Sequence, residues 1–123
     1  PLWLEEGLAC MSQLNGGVPL AARMPRLIRE NKHLPLAEMI DEVNPRLASG
    51  DRSFYVQATS FTRFLSEHLT AEQMSAFMRH LRGGQKPSTA LARALMAENR
   101  PDWLARMEQR WHRWVEREDD PDR

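Results

Sequence analysis

The apolar residues of this chain recur at intervals of three and four, and almost nowhere do they alternate with polar residues as they would along a strand. The clearest example lies within residues 53–68, where Phe54, Ala58, Phe61 and Leu65 fall on one face of a helix. Prolines and glycines divide this pattern into short pieces. We therefore predict an all-α fold, a compact bundle of about five or six helices joined by short loops.

Helix breakers set the expected boundaries in the first part of the chain. A helix is predicted over residues 2–14, and it should end at the glycine-containing turn Asn15–Gly17. Pro19 and Pro25 exclude one long helix from the passage that follows. We expect that passage to be short and irregular.

Prolines and a capping pattern mark the middle of the chain. A helix should start near Pro35 and reach about Val43, because proline is favoured in a first turn. Residues 44–53 are predicted to form a loop, since they are rich in proline, glycine, asparagine and aspartate. Thr70 and Gln73 have the spacing of a capping box, which predicts a helix start at this point.

Two more helices are predicted towards the end. Ser88 or Thr89 should cap a short helix, and Pro101 should open the last one. The inward face of the last helix should carry Leu104, Met107, Trp111, Trp114 and Val115. We assign residues 1–118 to a single helical domain and residues 119–123 to a disordered tail, because the tail is too polar to pack.

Composition excludes several classes of function. The 123 residues carry 17 basic and 17 acidic side chains, so net charge gives no reason to expect nucleic acid or an anionic membrane as a partner. No apolar run is long enough for membrane insertion in this segment. The single cysteine, Cys10, excludes an intrachain disulfide and a cysteine-based zinc cluster, and we predict a buried, inert thiol.

Two adjacent glutamates lie in the first predicted helix. Glu5 and Glu6 point about 100° apart around the helix axis. Glu5 falls on a side that can face water, whereas Glu6 falls beside Leu2, Trp3 and Cys10, where an unpaired carboxylate is costly to bury. The simplest explanation is that both acids lie in the first turn, where the helix dipole favours negative charge.

The stretch PLWLEEGLACMSQ at residues 1–13 resembles the Pro-x-Trp-Leu-x-Glu-Gly-Leu-Ala segment of gluzincin-type zinc metallopeptidases, the peptidase MA-like group. Residues 54–84 resemble the later Tyr-x-Gln-Ala/Ser helix of that family and the helix that follows it. Residues 90–115 resemble its closing Ala-Leu segment and a helix with an inward tryptophan. The resemblance thus covers nearly the whole chain and implies the C-terminal helical subdomain of a zincin-like peptidase.

The resemblance implies a role for Glu6. In the family, the glutamate before the glycine is the third zinc ligand, so Glu6 takes that position and Glu5 the variable one. The two histidine ligands come from a His-Glu-x-x-His helix, which this sequence lacks and which we expect before Pro1. Gly7 and Ala9 would let that helix approach closely. We expect zinc in the full-length protein and none in this chain alone, which should be inactive.

Tyr55 is the second residue to which the resemblance gives a role. It implies that this tyrosine lies near the cleft, where a phenol can hydrogen-bond the oxyanion of a peptide or protein substrate. A half-buried tyrosine with its hydroxyl at the surface is the structural alternative.

A location outside the cytoplasm would fit the resemblance.

Two other features allow different interpretations. Glu108, His112 and Glu116 recur every four residues, which is more typical of exposed ion pairs than of a metal site. The broad apolar arc of the first helix also suits a non-catalytic helical interaction module. In that case, and equally in a fragment, we expect self-association through this helix, with Trp3, Leu4, Leu8 or Met11 at a contact or only partly covered.

Overall fold

The computed structural model describes residues 1–43 and 52–119 of the chain. This part contains eight α-helices, one 3-10 segment at Leu14–Gly17 and no strand, which confirms the all-α prediction. Three of the helices have six residues or fewer, as expected of a chain rich in helix breakers. The helices are α1 (Leu2–Met11), α2 (Val18–Ala21), α3 (Met24–Arg29), α4 (Leu36–Met39), α5 (Arg52–His68), α6 (Ala71–Arg82), α7 (Pro87–Ala94) and α8 (Trp103–Asp119).

The first helix is shorter than predicted. Helix α1 ends at Met11, and the chain then passes through the 3-10 segment instead of continuing to residue 14. Asn15 and Gly17 have φ angles of 61° and 77°, a left-handed conformation that an α-helix cannot continue through. The backbone therefore leaves the α-helical conformation before the first glycine of the turn.

Other predicted boundaries also shift. Helix α4 ends at Met39 rather than near Val43, and α5 already includes Arg52 and Ser53. Residues 44–51 of the predicted loop and residues 120–123 of the predicted tail lie outside the described residues. Asp119, which we had assigned to the tail, is the last residue of α8.

Helix α5 is the centre of the fold. Ten of its residues are buried, including the four of the apolar stripe and the polar residues Gln57, Thr59, Ser60 and Thr62. A helix buried on several sides must have neighbours on several sides. Helices α1, α2, α3 and α8 all pack against it.

Aromatic side chains fill the space between α1, α5 and α8. Phe61 contacts Trp3 on one side and Trp111 on the other, with ring centroids 5.0 Å apart in both pairs. Met107, Trp111, Trp114 and Val115 are buried as predicted, and Leu104 is half-buried. The three tryptophans that we predicted in α8 thus belong mainly to the core, with Trp103 at its edge.

Helices α6 and α7 pack against each other, and their N-termini are capped in different ways. The capping box at α6 is confirmed: Thr70 and Gln73 each accept the other's backbone N–H through a side-chain oxygen. The expected Ser88 or Thr89 cap is wrong, because α7 begins at Pro87 without a side-chain cap from its own N-cap residue. Asp41 supplies that cap from another part of the chain.

Candidate functional site

The first helix is fixed in the fold by Trp3. This residue is fully buried, and its Nε1 donates a 2.8 Å hydrogen bond to the backbone carbonyl of Ile40. Its ring contacts Phe61 edge-on and stacks with Phe77 at 6.3 Å. Three separate parts of the chain therefore hold α1, and the side chains along α1 have defined positions.

Gly7 brings α1 close to α5. A Cβ at this position would lie 2.7 Å from the carbonyl oxygen of Ala58 and would collide with Thr62 Oγ1. Only glycine permits this approach. We had assigned Gly7 and Ala9 to an approaching upstream helix, but Gly7 faces α5 of the same chain, and only Ala9 is exposed.

The two glutamates have different surroundings. Glu5 lies in the first turn of α1 and is exposed, whereas Glu6 is half-buried. Neither carboxylate has a hydrogen-bond or ion-pair partner within residues 1–43 and 52–119. The dipole explanation thus applies to Glu5. A half-buried carboxylate without a partner, as at Glu6, is less common and is available to bind a ligand.

The apolar residues of α1 divide into a buried and an open group. Of the four residues that we expected at a contact or only partly covered, Trp3 and Leu4 are buried within the chain. Leu8 is 49% exposed and Met11 is half-buried. Cys10 is free and buried, in agreement with the prediction of a buried thiol.

Tyr55 lies at the end of the first turn of α5. Its ring is half-buried and contacts Phe54 edge-on at 6.3 Å. Its hydroxyl makes no hydrogen bond in the described part of the chain, either to Glu6 or to another residue. Glu6 and Tyr55 therefore lie on two helices that pack together, but no direct interaction joins them.

The row Glu108, His112 and Glu116 is not a set of ion pairs. Glu108 Oε2 accepts a 2.5 Å hydrogen bond from the backbone N–H of Leu36, at the start of α4. Within the described ranges no ion pair connects His112 to either glutamate. The expected ion pairing is wrong at Glu108 because tertiary contact with α4 provides a better partner for its carboxylate.

His112 instead contacts His33, a pairing that the sequence analysis missed. The ring centroids are 5.0 Å apart and the rings are nearly perpendicular, at 85°. The Nδ1 of His33 and the Nε2 of His112 are buried, and neither has a hydrogen-bond partner among the residues that the structure describes. Burial lowers the pKa of His112 and so does the charge of His33, whereas Glu108 and Glu116 act in the opposite direction.

A complete metal centre is not present among the described residues, since no three histidine, cysteine, aspartate or glutamate side chains there are grouped to hold an ion. Glu6 fits the role of one zinc ligand, because its carboxylate is free and its helix is well anchored. A site at Glu6 would need its other ligands from elsewhere. None of the helices that the structure describes is long and apolar enough to cross a membrane.

Comparison with known proteins adds no relative. No protein-family model matches the chain, and no curated protein or solved structure is significantly similar to it. Functional assignment therefore depends on the residues and their geometry.

Proposed function

We propose that this chain forms the C-terminal helical part of a zinc metallopeptidase, in which Glu6 supplies one zinc ligand. The observation that carries the proposal is the half-buried Glu6 carboxylate, which has no partner in the described part of the chain. The segment around it resembles the family segment whose glutamate has this role. The matched residue Glu5 is exposed, as suits the variable position.

In this function, the residues of the chain would mainly hold Glu6 in place. Trp3 and Gly7 fix α1 against α4 and α5, so Glu6 would be presented rigidly to a metal. A catalytic zinc takes three protein ligands and supplies an activated water when bound. The proposal therefore requires two further ligands, which the resemblance assigns to a His-Glu-x-x-His motif upstream of Pro1.

The decisive experiment compares Glu6 with Glu5 in the full-length protein, including any residues encoded before Pro1. We expect one zinc per chain by elemental analysis. Glu6→Ala should remove most of the zinc, because two ligands hold the ion poorly, whereas Glu5→Ala should retain it. Full zinc occupancy and peptidase activity in Glu6→Ala would refute the assignment, as would the absence of His-Glu-x-x-His from the upstream sequence.

Tyr55 is proposed as a hydrogen-bond donor to the oxyanion that forms during peptide hydrolysis. Its phenol is half-buried and its hydroxyl is unpaired among the described residues, so it is free to donate. In the full-length enzyme, Tyr55→Phe should lower kcat by about 10²- to 10³-fold and leave the zinc content unchanged. An unchanged kcat would mean that Tyr55 has only a packing role.

A second candidate function is that of a helical interaction module. It is favoured by Leu8, which is 49% exposed, beside the half-buried Met11 on α1. Exposed apolar residues of this kind tend to recruit another surface. Analytical ultracentrifugation should then detect concentration-dependent association that Leu8→Gln weakens. A monomer at every concentration would exclude self-association through α1.

A further inference from the structure

A small pocket with apolar and polar walls lies where α5 and α8 meet α2 and α3. Its volume is about 100 Å³, and its walls include the buried residues Ala21, Pro25, Trp114 and Val115. Cavities of roughly 150 Å³ with apolar walls take benzene. This pocket is smaller, so it has room for an apolar group of roughly four or five carbon atoms.

Two hydrogen-bond donors line the same pocket from α5. Ser60 is 1% exposed, and its Oγ accepts a 3.0 Å hydrogen bond from Trp111 Nε1. That is the one hydrogen bond of the Ser60 hydroxyl among the described residues, so its own proton is unused. Arg63 lies three residues further on, and therefore on the same side of the helix.

The Arg63 guanidinium is also available. It is half-buried, and it forms neither a hydrogen bond nor an ion pair with any residue that the structure describes. Arg26, by contrast, pairs with Glu30 at 2.9 Å. A half-buried, unpaired guanidinium beside a buried hydroxyl donor favours an anionic acceptor over a neutral or cationic one.

We propose that this pocket binds a small apolar monocarboxylic acid. The carboxylate accepts hydrogen bonds from Arg63 and from the Ser60 hydroxyl, and the hydrocarbon part packs against Trp114 and Val115. Glu118 also lines the pocket, from α8. Both donors that a carboxylate needs lie on α5, so the carboxylate belongs beside α5. The proposal does not depend on zinc or on peptidase activity.

Titration with hexanoate tests this site directly, with indole N–H signals in a two-dimensional NMR spectrum as the readout. The Trp111 and Trp114 signals should shift and saturate, because Trp111 donates to Ser60 and Trp114 lines the pocket. The Trp3 signal should not shift, because its indole N–H donates to the Ile40 carbonyl and Trp3 does not line the pocket. Hexanamide, which has the same shape without the charge, should bind at least about tenfold more weakly.

Three variants complete the test. Arg63→Gln should weaken hexanoate binding about tenfold, because a charge-assisted hydrogen bond is lost. Ala22→Leu should abolish binding by filling the pocket at an exposed position that does not disturb the core. Arg106→Gln is the control, since Arg106 pairs with Asp102 and does not line the pocket.

Circular dichroism should show that all three variants keep their helix content. The proposal is overturned if hexanamide binds as tightly as hexanoate, or if Arg63→Gln or Ala22→Leu binds hexanoate like the wild type. It is also overturned if no saturable shift appears up to about 20 mM hexanoate.

Discussion

The indole Nε1 of Trp3 and the backbone carbonyl of Ile40, 37 residues apart in the chain, share a buried 2.8 Å hydrogen bond. This bond joins α1 to the end of α4, and the same indole packs between Phe61 and Phe77. The position of Glu6, one turn further along α1, follows from this attachment. Core contacts of Trp3 therefore fix the position of Glu6, the candidate zinc ligand.

Trp3→Phe should lower the free energy of unfolding by about 2–4 kcal/mol. The change removes the hydrogen bond, leaves the Ile40 carbonyl buried without its partner and creates a cavity beside Phe61. Urea denaturation measures the loss. Trp103→Phe is the matched control at a half-buried position, where we expect less than about 1 kcal/mol. An equal decrease in the free energy of unfolding in the two variants would show that the hydrogen bond to Ile40 adds no measurable stability.

Gly7→Ala should destabilise the fold by about 1–3 kcal/mol, because the added methyl group collides with α5 at Ala58 and Thr62. Thermal unfolding followed by circular dichroism gives the change. The control is Gly83→Ala, at which the nearest atom is 3.4 Å from a new Cβ and φ is −76°. We expect Gly83→Ala to be nearly neutral. A neutral Gly7→Ala would mean that α1 and α5 can separate at little cost.

Asp41→Ala should cost about 1 kcal/mol by removing the cap of α7. Both carboxylate oxygens of Asp41 accept hydrogen bonds from Ser88, one from its backbone N–H at 2.9 Å and one from its hydroxyl at 2.6 Å. Asp102→Ala removes an exposed ion pair with Arg106 instead, which contributes less. Hydrogen exchange of the first α7 amides should rise in Asp41→Ala only. Unchanged exchange there would contradict the capping role.

The free energy of unfolding should fall at acidic pH because His112 becomes protonated. Burial lowers the pKa of this histidine below its usual value, so the folded protein favours the neutral ring while the unfolded chain binds a proton more readily. The contribution is complete above the unfolded pKa of about 6.5 and is lost as the pH falls from there through the folded pKa. Chemical denaturation between about pH 8 and pH 5 measures this slope.

His112→Gln should reduce that pH dependence, because it removes the ring whose pKa is lowered by burial. If His112→Gln and the wild type lose stability in parallel, the acid sensitivity has another origin.

Local sequence determined most of the helices. The stripe from Phe54 to Leu65 is buried as its spacing predicts, and the Thr70–Gln73 capping box forms within four consecutive residues. These features are predictable because helical hydrogen bonds and caps join residues that are close in sequence. The resemblance of the first helix selected Glu6, and the local helix geometry distinguished it from Glu5.

Tertiary structure decided the contacts that link distant residues. The sequence suggested ion pairs for Glu108, but its carboxylate binds Leu36, 72 residues away, and His112 meets His33. Asp41 caps α7 from 47 residues away, so no nearby side chain signalled it. A polar side chain takes the partner that burial brings to it, and which partner arrives depends on how the helices pack together. Sequence spacing describes one helix at a time and carries no information about that packing.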